Sequence, residues 1–197
     1  MEGVIDFVKE LNDLIRVMND YSSAIYRHSI NVSRIANRVA YHLGLQGKEV
    51  SVISNAALLH DIGKVKISKK ILFKSGKLTL REWEIIKEHP KYGVSMLESY
   101  SWAKELLVLV KNHHERWDGQ GYYGISGKDI PLGARIIGIA DALNAMTSLR
   151  PYQEVMTRKE SLNELERCAG IQFDPTLTKM VIRLKDEILD YEELDGI

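Results

Sequence analysis

The chain has 197 residues, 45% of them hydrophobic, and its 27 Lys and Arg balance 27 Asp and Glu. That is enough apolar material for one sizeable core, so one domain is expected. With no net charge to attract polyanions, long nucleic acid and anionic membrane surfaces are excluded as partners, and any phosphate binding must be local. The opening segment MEGVIDFVKELNDL carries Glu2, Asp6, Lys9 and Glu10 and does not read as a signal peptide. Residues 4–18 repeat apolar side chains at helical spacing, with Phe7, Val8, Leu11, Leu14, Ile15 and Met18 on one side. This amphipathic helix is a candidate surface for homodimer formation or for joining another domain. A longer helix is expected from Ser22 to Leu43, stopped by Gly44, and another over residues 48–61, stopped by Gly63. Thr79 and Glu82 read as a capping box for a helix over residues 80–88, and Pro90 suits the first turn of the next. A helix over 102–114 leads into a loop with Gly119, Gly121, Gly124 and Gly127, and helix resumes over 131–147. The lone Cys168 rules out an internal disulfide, and Asp174-Pro175 opens a last helix over 176–189. No apolar run reaches the roughly 18 residues that span a bilayer. The expectation is an all-α, single-domain, cytoplasmic protein: an N-terminal helix over 1–20, a main unit over 21–190 and an acidic tail over 191–197.

The histidines give this bundle its chemistry. His28 lies three residues after Ile25 and four before Val32, which turns it inward. His60 continues the face of Ile53, Ala56 and Ala57, while His113 and His114 follow Leu106, Leu109 and Val110. His89 sits at a helix junction, and His42 reads as a surface residue. Asp61 follows His60 in the apolar stretch NAALLHDIGK. A carboxylate in a last helical turn meets the negative end of the helix dipole as well as a desolvation cost, so a cation must offset both. Asp141, in GIADALNA, is a second inward carboxylate without an evident cationic partner. Neutral imidazoles and carboxylates on inward faces suit divalent transition metals. Five histidines and two aspartates exceed one coordination shell, but fit two metals bridged by a carboxylate. Such a pair activates water and clamps phosphoryl oxygens.

The ordered segments LLHDIGKV (58–65), EHPKYG (88–93), NHHERWDGQGYYG (112–124) and IPLGARIIGIADALNAMTSLRPY (130–152) resemble the HD-GYP subgroup of the HD superfamily of metal-dependent phosphohydrolases. The resemblance covers about residues 20–190 and implies an all-helical HD-type bundle around a dinuclear site of iron or manganese. From residue types alone, nickel, cobalt and zinc stay open. The implied ligands are His28, His60, Asp61, His89, His113, His114 and Asp141, with Asp61 bridging. Lys64 is implied to contact the scissile phosphate and stabilise developing charge. Arg150 is the implied substrate-binding arginine; Arg116 is a second candidate, and Gln153 stands where a basic residue is frequent. Tyr122, flanked by glycine and close to Trp117 and Tyr123, is suited to stack on a base.

The departures are specific. The motif reads Gly121-Tyr122-Tyr123, without its proline. Ala24 occupies the place of a glutamate that supports a third metal, which favours two. Asn144 replaces a frequent second aspartate, for which the sequence offers no physical account. The implied activity is hydrolysis of cyclic di-GMP or a related cyclic dinucleotide to linear pGpG, with GMP as a further product. The competing expectations are a cyclic-dinucleotide-binding signalling module with little turnover, and an HD phosphohydrolase acting on another nucleotide.

Overall fold

Helical periodicity carries through to the structure, a computed structural model that describes residues 2–148 and 155–189, with side chains from residue 6 onward. Helix α1 (Glu2–Tyr21) is followed by α2 (Ser23–His42), whose N-cap Ser22 accepts from the Ile25 amide. Gly44 takes the expected left-handed conformation after α2, at φ 80°. Helix α3 (Lys48–Leu59) leads into a 3-10 turn, Ile62–Lys66, and a single turn, α4 (Lys69–Leu72). The capping box forms as expected between Thr79 and Glu82 at the start of α5 (Leu80–Lys87), and Pro90 lies in the first turn of α6 (His89–Leu97). Then come α7 (Lys104–Asn112), α8 (Leu132–Thr147), α9 (Arg158–Arg167), α10 (Pro175–Arg183) and α11 (Lys185–Leu189). The described residues contain no β-strand.

Four boundaries differ from the expectation. The helix over 48–61 ends at Leu59, so His60 is its C-cap and Asp61 stands in the turn beyond it. Gly63 is not a left-handed stop: a Cβ there would lie 1.9 Å from the His89 carbonyl oxygen and 2.5 Å from the Gly93 nitrogen. Its role is close approach of two backbones. The helix over 102–114 begins later, because residues 101–103 form a 3-10 turn. The last helix is split at Leu184, which caps α10 before α11 starts. Helix α9 was not expected at all, although Thr157 and Glu160 form the same kind of capping box that marked α5.

Helix α2 lies at the centre, packed against α3 and α8. Val32, Ile35, Ala36, Val39 and Ala40 of α2 are fully buried, as are Ala56 and Ala57 of α3 and Ile136, Ile137 and Ala140 of α8. The alanines let these axes come close, which draws the inward polar residues of all three helices into one volume. Helix α1 belongs to the same core. Its Leu14 and Met18 are buried, Tyr21 donates to the Ile67 carbonyl at 2.7 Å, and Glu10 accepts from the Trp102 indole at 2.8 Å. Burying two such side chains contributes about 3–6 kcal/mol as an upper bound.

Candidate metal centre

Seven side chains from the ends and middles of five helices converge. His28 comes from α2, His60 caps α3 with Asp61 next to it, His89 opens α6, His113 and His114 follow α7, and Asp141 projects from α8. Gly63 makes this convergence possible, since its bare backbone lets the start of α6, and so His89, approach Asp61. Two groups form, Asp61 with His89, His113 and His114, and His28 with His60 and Asp141; in each, the ligand-type atoms lie within 4.8 Å of one another. Asp61 faces both. Its Oδ1 is 3.3 Å from His89 Nε2, while its Oδ2 is 3.4 Å from His60 Nε2 and 3.8 Å from His28 Nε2.

Hydrogen bonds fix where the protons are. His60, His89 and His113 each place Nδ1 against the backbone carbonyl three residues earlier, at 2.6, 2.8 and 2.7 Å. A carbonyl only accepts, so each Nδ1 carries the proton and each Nε2 presents a lone pair to the cluster. His28 is held differently: its Nδ1 donates to Asn144 Oδ1 at 2.6 Å, and Asn144 Nδ2 donates to Ser148 Oγ at 2.9 Å. That supplies the physical account of Asn144, a fully buried amide that orients His28 so its Nε2 lies 3.0 Å from Asp141 Oδ1.

Acceptors therefore dominate the interior of the cluster, with Lys64 donating to Asp61 Oδ2 from its edge. His89 Nε2 and His113 Nε2 face each other at 3.3 Å, and buried Asp61 Oδ1 receives no hydrogen bond. Lone pairs at that spacing repel unless a cation lies between them. Ligands about 2.1 Å from one ion, at tetrahedral to octahedral angles, are ~3.0–3.4 Å apart. The donor set and its spacing fit a divalent metal.

The electrostatics agree. Burial pushes His89 and His114 down to about 3 and holds His113 well below its ordinary value, so all three imidazoles are neutral. For His60 burial also disfavours charge, but the neighbouring Asp61 carboxylate outweighs it and the net shift is upward. Burial opposes the charge on Asp61 and Asp141 as well. Lys64 and His60 nonetheless keep Asp61 well below the usual carboxylate range, and His28 does the same for Asp141. Lys64 Nζ donates to Asp61 Oδ2 at 2.5 Å, three residues on within the 3-10 turn.

His114 and Asp141 reach the floor of a cavity of about 520 Å³. Tyr122 lies above them, its ring 4.7 Å from that of His114, and burial raises its phenol to about 12, so it stays a neutral donor. The glycine loop that carries it is stapled by Glu115, a residue passed over in the sequence. The Glu115 carboxylate accepts from the Tyr123 amide at 2.6 Å and the Ile125 amide at 2.8 Å. A proline in place of Tyr123 has no N–H to give, so this loop is held by a hydrogen bond at the position where the motif ordinarily has a ring. Gly121 allows the loop to fold back, because a Cβ there would lie 2.6 Å from Glu115 Cα.

The candidate substrate residues fare unevenly. Tyr122 and Arg116 both line the cavity, but the Arg116 guanidinium is already gripped by Asp118, at 2.8 and 3.1 Å. Arg150 and Gln153 lie outside the described residues. His42 stands apart from the cluster and is partly buried rather than on the surface, with Nε2 3.7 Å from Glu187 Oε2. Unforeseen in the sequence were Arg135, whose NH1 donates to buried Asp174 at 2.5 Å beside the cavity, and Trp83 and Lys87 of α5, which also line it.

The family model described as HD domain matches residues 12–177. The chain belongs to the HD domain family. Among curated relatives of this HD domain, it is 35% identical over 189 residues to a cyclic di-GMP phosphodiesterase of Thermotoga maritima, covering 94% of this chain and 51% of that protein. It is 37% identical over 167 residues to the 3'3'-cGAMP-specific phosphodiesterase 2 of Vibrio cholerae, covering 82% of this chain and 32% of the relative. The HD domain chain thus spans about half, or less, of the length of these relatives. Among solved structures, it superposes with a TM-score of 0.67 on Bd1817, a HDG"Y"P protein from Bdellovibrio bacteriovorus, at 19% identity, covering 82% of this chain and 52% of that one. That likeness concerns the fold. Among the described residues, no helix is long and apolar enough to cross a membrane.

Proposed function

We propose that this chain is a metal-dependent phosphodiesterase that hydrolyses cyclic di-GMP or a related cyclic dinucleotide to its linear form. One observation carries the reading: His89 Nε2, His113 Nε2 and Asp61 Oδ1 converge as buried acceptors with no donor between them, beside a cavity large enough for a nucleotide. The names of the relatives, phosphodiesterases of cyclic di-GMP and of 3'3'-cGAMP, support the substrate class. His89, His113, His114 and Asp61 Oδ1 would hold one divalent ion, and His28, His60, Asp141 and Asp61 Oδ2 a second, with Asp61 as the bridge. Iron or manganese is the proposed pair, and Ala24 adds no further ligand. Bound there, the ions would supply Lewis acidity and water activation at neutral pH.

The chain's own residues do the rest. Lys64 stands where its ammonium can turn from Asp61 toward the phosphoryl oxygens of a substrate and stabilise charge that develops on them. Tyr122, kept protonated by burial, can donate to a leaving or bridging oxygen. The Glu115 staple holds the loop that carries this tyrosine. Arg150, Arg116 and Gln153 are proposed contacts to the remainder of the ligand. The same reading takes residues 21–190 as the catalytic unit, flanked by the N-terminal helix and an acidic tail, and the cytoplasm as its compartment. A homodimer through α1 would use the exposed Val8 and Val17, because the chain's own core occupies Leu14 and Met18.

The test is product analysis after incubating iron- or manganese-loaded protein with a panel of cyclic dinucleotides, alongside elemental analysis. Two equivalents of metal and a linear dinucleotide product are expected. Binding without any linear product would make the chain a signalling module. If it neither binds nor cleaves any of the panel, the substrate is a different phosphoester.

A further inference from the structure

Helix α5 contributes Trp83 and Lys87 to the lining of the cavity, and none of the motifs that carry the family resemblance includes it. Trp83 and Lys87 lie four residues apart, on one face of that helix, and both line the cavity whose floor is His114 and Asp141. Trp83 is 45% exposed, and among the described residues no ring stacks on it. A large apolar ring left open on the lining of a cavity is an available stacking surface. Lys87 Nζ lies 5.6 Å from the centre of the Tyr122 ring, and Tyr122 in turn packs on His114, so the wall connects directly to the cluster.

The other cations of the cavity are committed. Arg135 is paired with Asp174, whose side chain is 5% exposed, and Arg116 is gripped by Asp118 at 20%. Among the described residues Lys87 forms an ion pair only with Glu84, at 3.1 Å, and that carboxylate is 67% exposed. A solvated pair one helical turn apart contributes little and is readily given up. Among the described residues that line the cavity, Lys87 is therefore the cation best able to redirect to a ligand.

We propose that Trp83 and Lys87 form the subsite for the half of a cyclic dinucleotide that lies away from the cluster, with Trp83 stacking on its nucleobase and Lys87 pairing with the phosphate that is not cleaved. The inference rests on the cyclic dinucleotide reading above and deepens it. The metals and Lys64 can neutralise only the scissile phosphate, and the second phosphate and base need further partners in the cavity. Trp83 and Lys87 supply a π-face and a charge together.

The experiment uses the metal-loaded full chain with two substrates, cyclic di-GMP and bis(4-nitrophenyl) phosphate, a small diester that has no purine and no second phosphate. Trp83→Ala should lower the ratio of kcat/KM for cyclic di-GMP over the small diester by about tenfold or more, mostly through KM, and Trp83→Phe should restore most of it. Lys87→Ala should lower the same ratio and flatten its dependence on salt. Ratios unchanged in both alanine variants would overturn the subsite. Where the wild type binds cyclic di-GMP without cleaving it, the same variants are read on Kd, with the same expectations. A wild type that neither binds nor cleaves any cyclic dinucleotide overturns the functional reading and the subsite together, whereas failure of the subsite alone shows only in the variants.

Discussion

Asp61 carries two burdens, a buried charge and an oxygen with no hydrogen-bond donor, and Lys64 relieves only the first. Its ammonium neutralises Oδ2 from the edge of the cluster, where the lysine side chain keeps 23% exposure, while Oδ1 faces imidazole lone pairs. Lys64 is thus beside the cluster without being one of the converging acceptors, and under the proposed function it acts on the phosphoryl group. Lys64→Ala should leave the metal content at two equivalents and lower kcat by about 10²–10³, the usual cost of removing one electrostatic stabiliser. Elemental analysis and steady-state kinetics check this, and an unchanged kcat would return Lys64 to the role of a solvated residue near a turn. Asn144 works at the same scale. His60, His89 and His113 lean on backbone carbonyls that no substitution can remove, whereas His28 depends on a side chain from another helix.

At the scale of elements, the 3-10 turn after α3 and the glycine loop after α7 do the positioning. Each depends on a glycine that allows backbone to touch backbone, Gly63 against α6 and Gly121 against Glu115. The loop also shows how a motif can lose a residue and keep its shape. Tyr123 contributes an amide to Glu115, a bond to a charged acceptor that is worth about 1.5–3 kcal/mol. A proline would remove it and return about 0.4–1 kcal/mol through reduced freedom of the unfolded chain. Tyr123→Pro should therefore destabilise the protein by about 1–2 kcal/mol, which thermal unfolding would register as a drop of a few degrees. A higher midpoint would show that ring stiffness outweighs the staple.

At the scale of the whole molecule, the buried neutral histidines make stability depend on pH. With His89 and His114 depressed to about 3, the unfolded chain binds more protons than the folded one between about pH 6.5 and 3. Stability therefore falls with pH across that window, by about 1.4 kcal/mol per unit and group, with His113 adding in the same direction. His60 opposes: its raised value stabilises the fold below its ordinary pKa and that contribution is lost as pH rises. Asp61 and Asp141 stabilise above the ordinary carboxylate range and matter only in stronger acid. Metal-free protein should show a clearly lower denaturant midpoint at pH 5 than at pH 7, and equal midpoints would contradict the buried neutral histidines. Metal should raise both midpoints, because it binds the folded cluster and competes with protons for the same lone pairs.

Most of the helices were legible in the sequence because periodicity and capping are local: Thr79 with Glu82, Pro90, and Asp174-Pro175 each act within one turn of the chain. Helix α9 carried an equally local signal in Thr157 and Glu160, but its two inward leucines made a weak stripe. The seven histidines and aspartates could likewise be named one by one, His28, His60, His113, His114 and Asp141 from the face each occupies, Asp61 from its place at a helix end, and His89 from the resemblance. Their grouping could not, since distances between residues as far apart as His28 and Asp141 are set by how closely α2, α3 and α8 pack, and so by alanines and glycines whose effect is the absence of side chain. The same holds for Asn144 behind His28, Glu115 under the loop, and Trp83 and Lys87 across the cavity. Local pattern determined the elements and the chemical vocabulary of this protein, and only tertiary packing decided which of those groups meet, because hydrogen bonds and ligand spacing act over about 3 Å between residues that the chain keeps far apart.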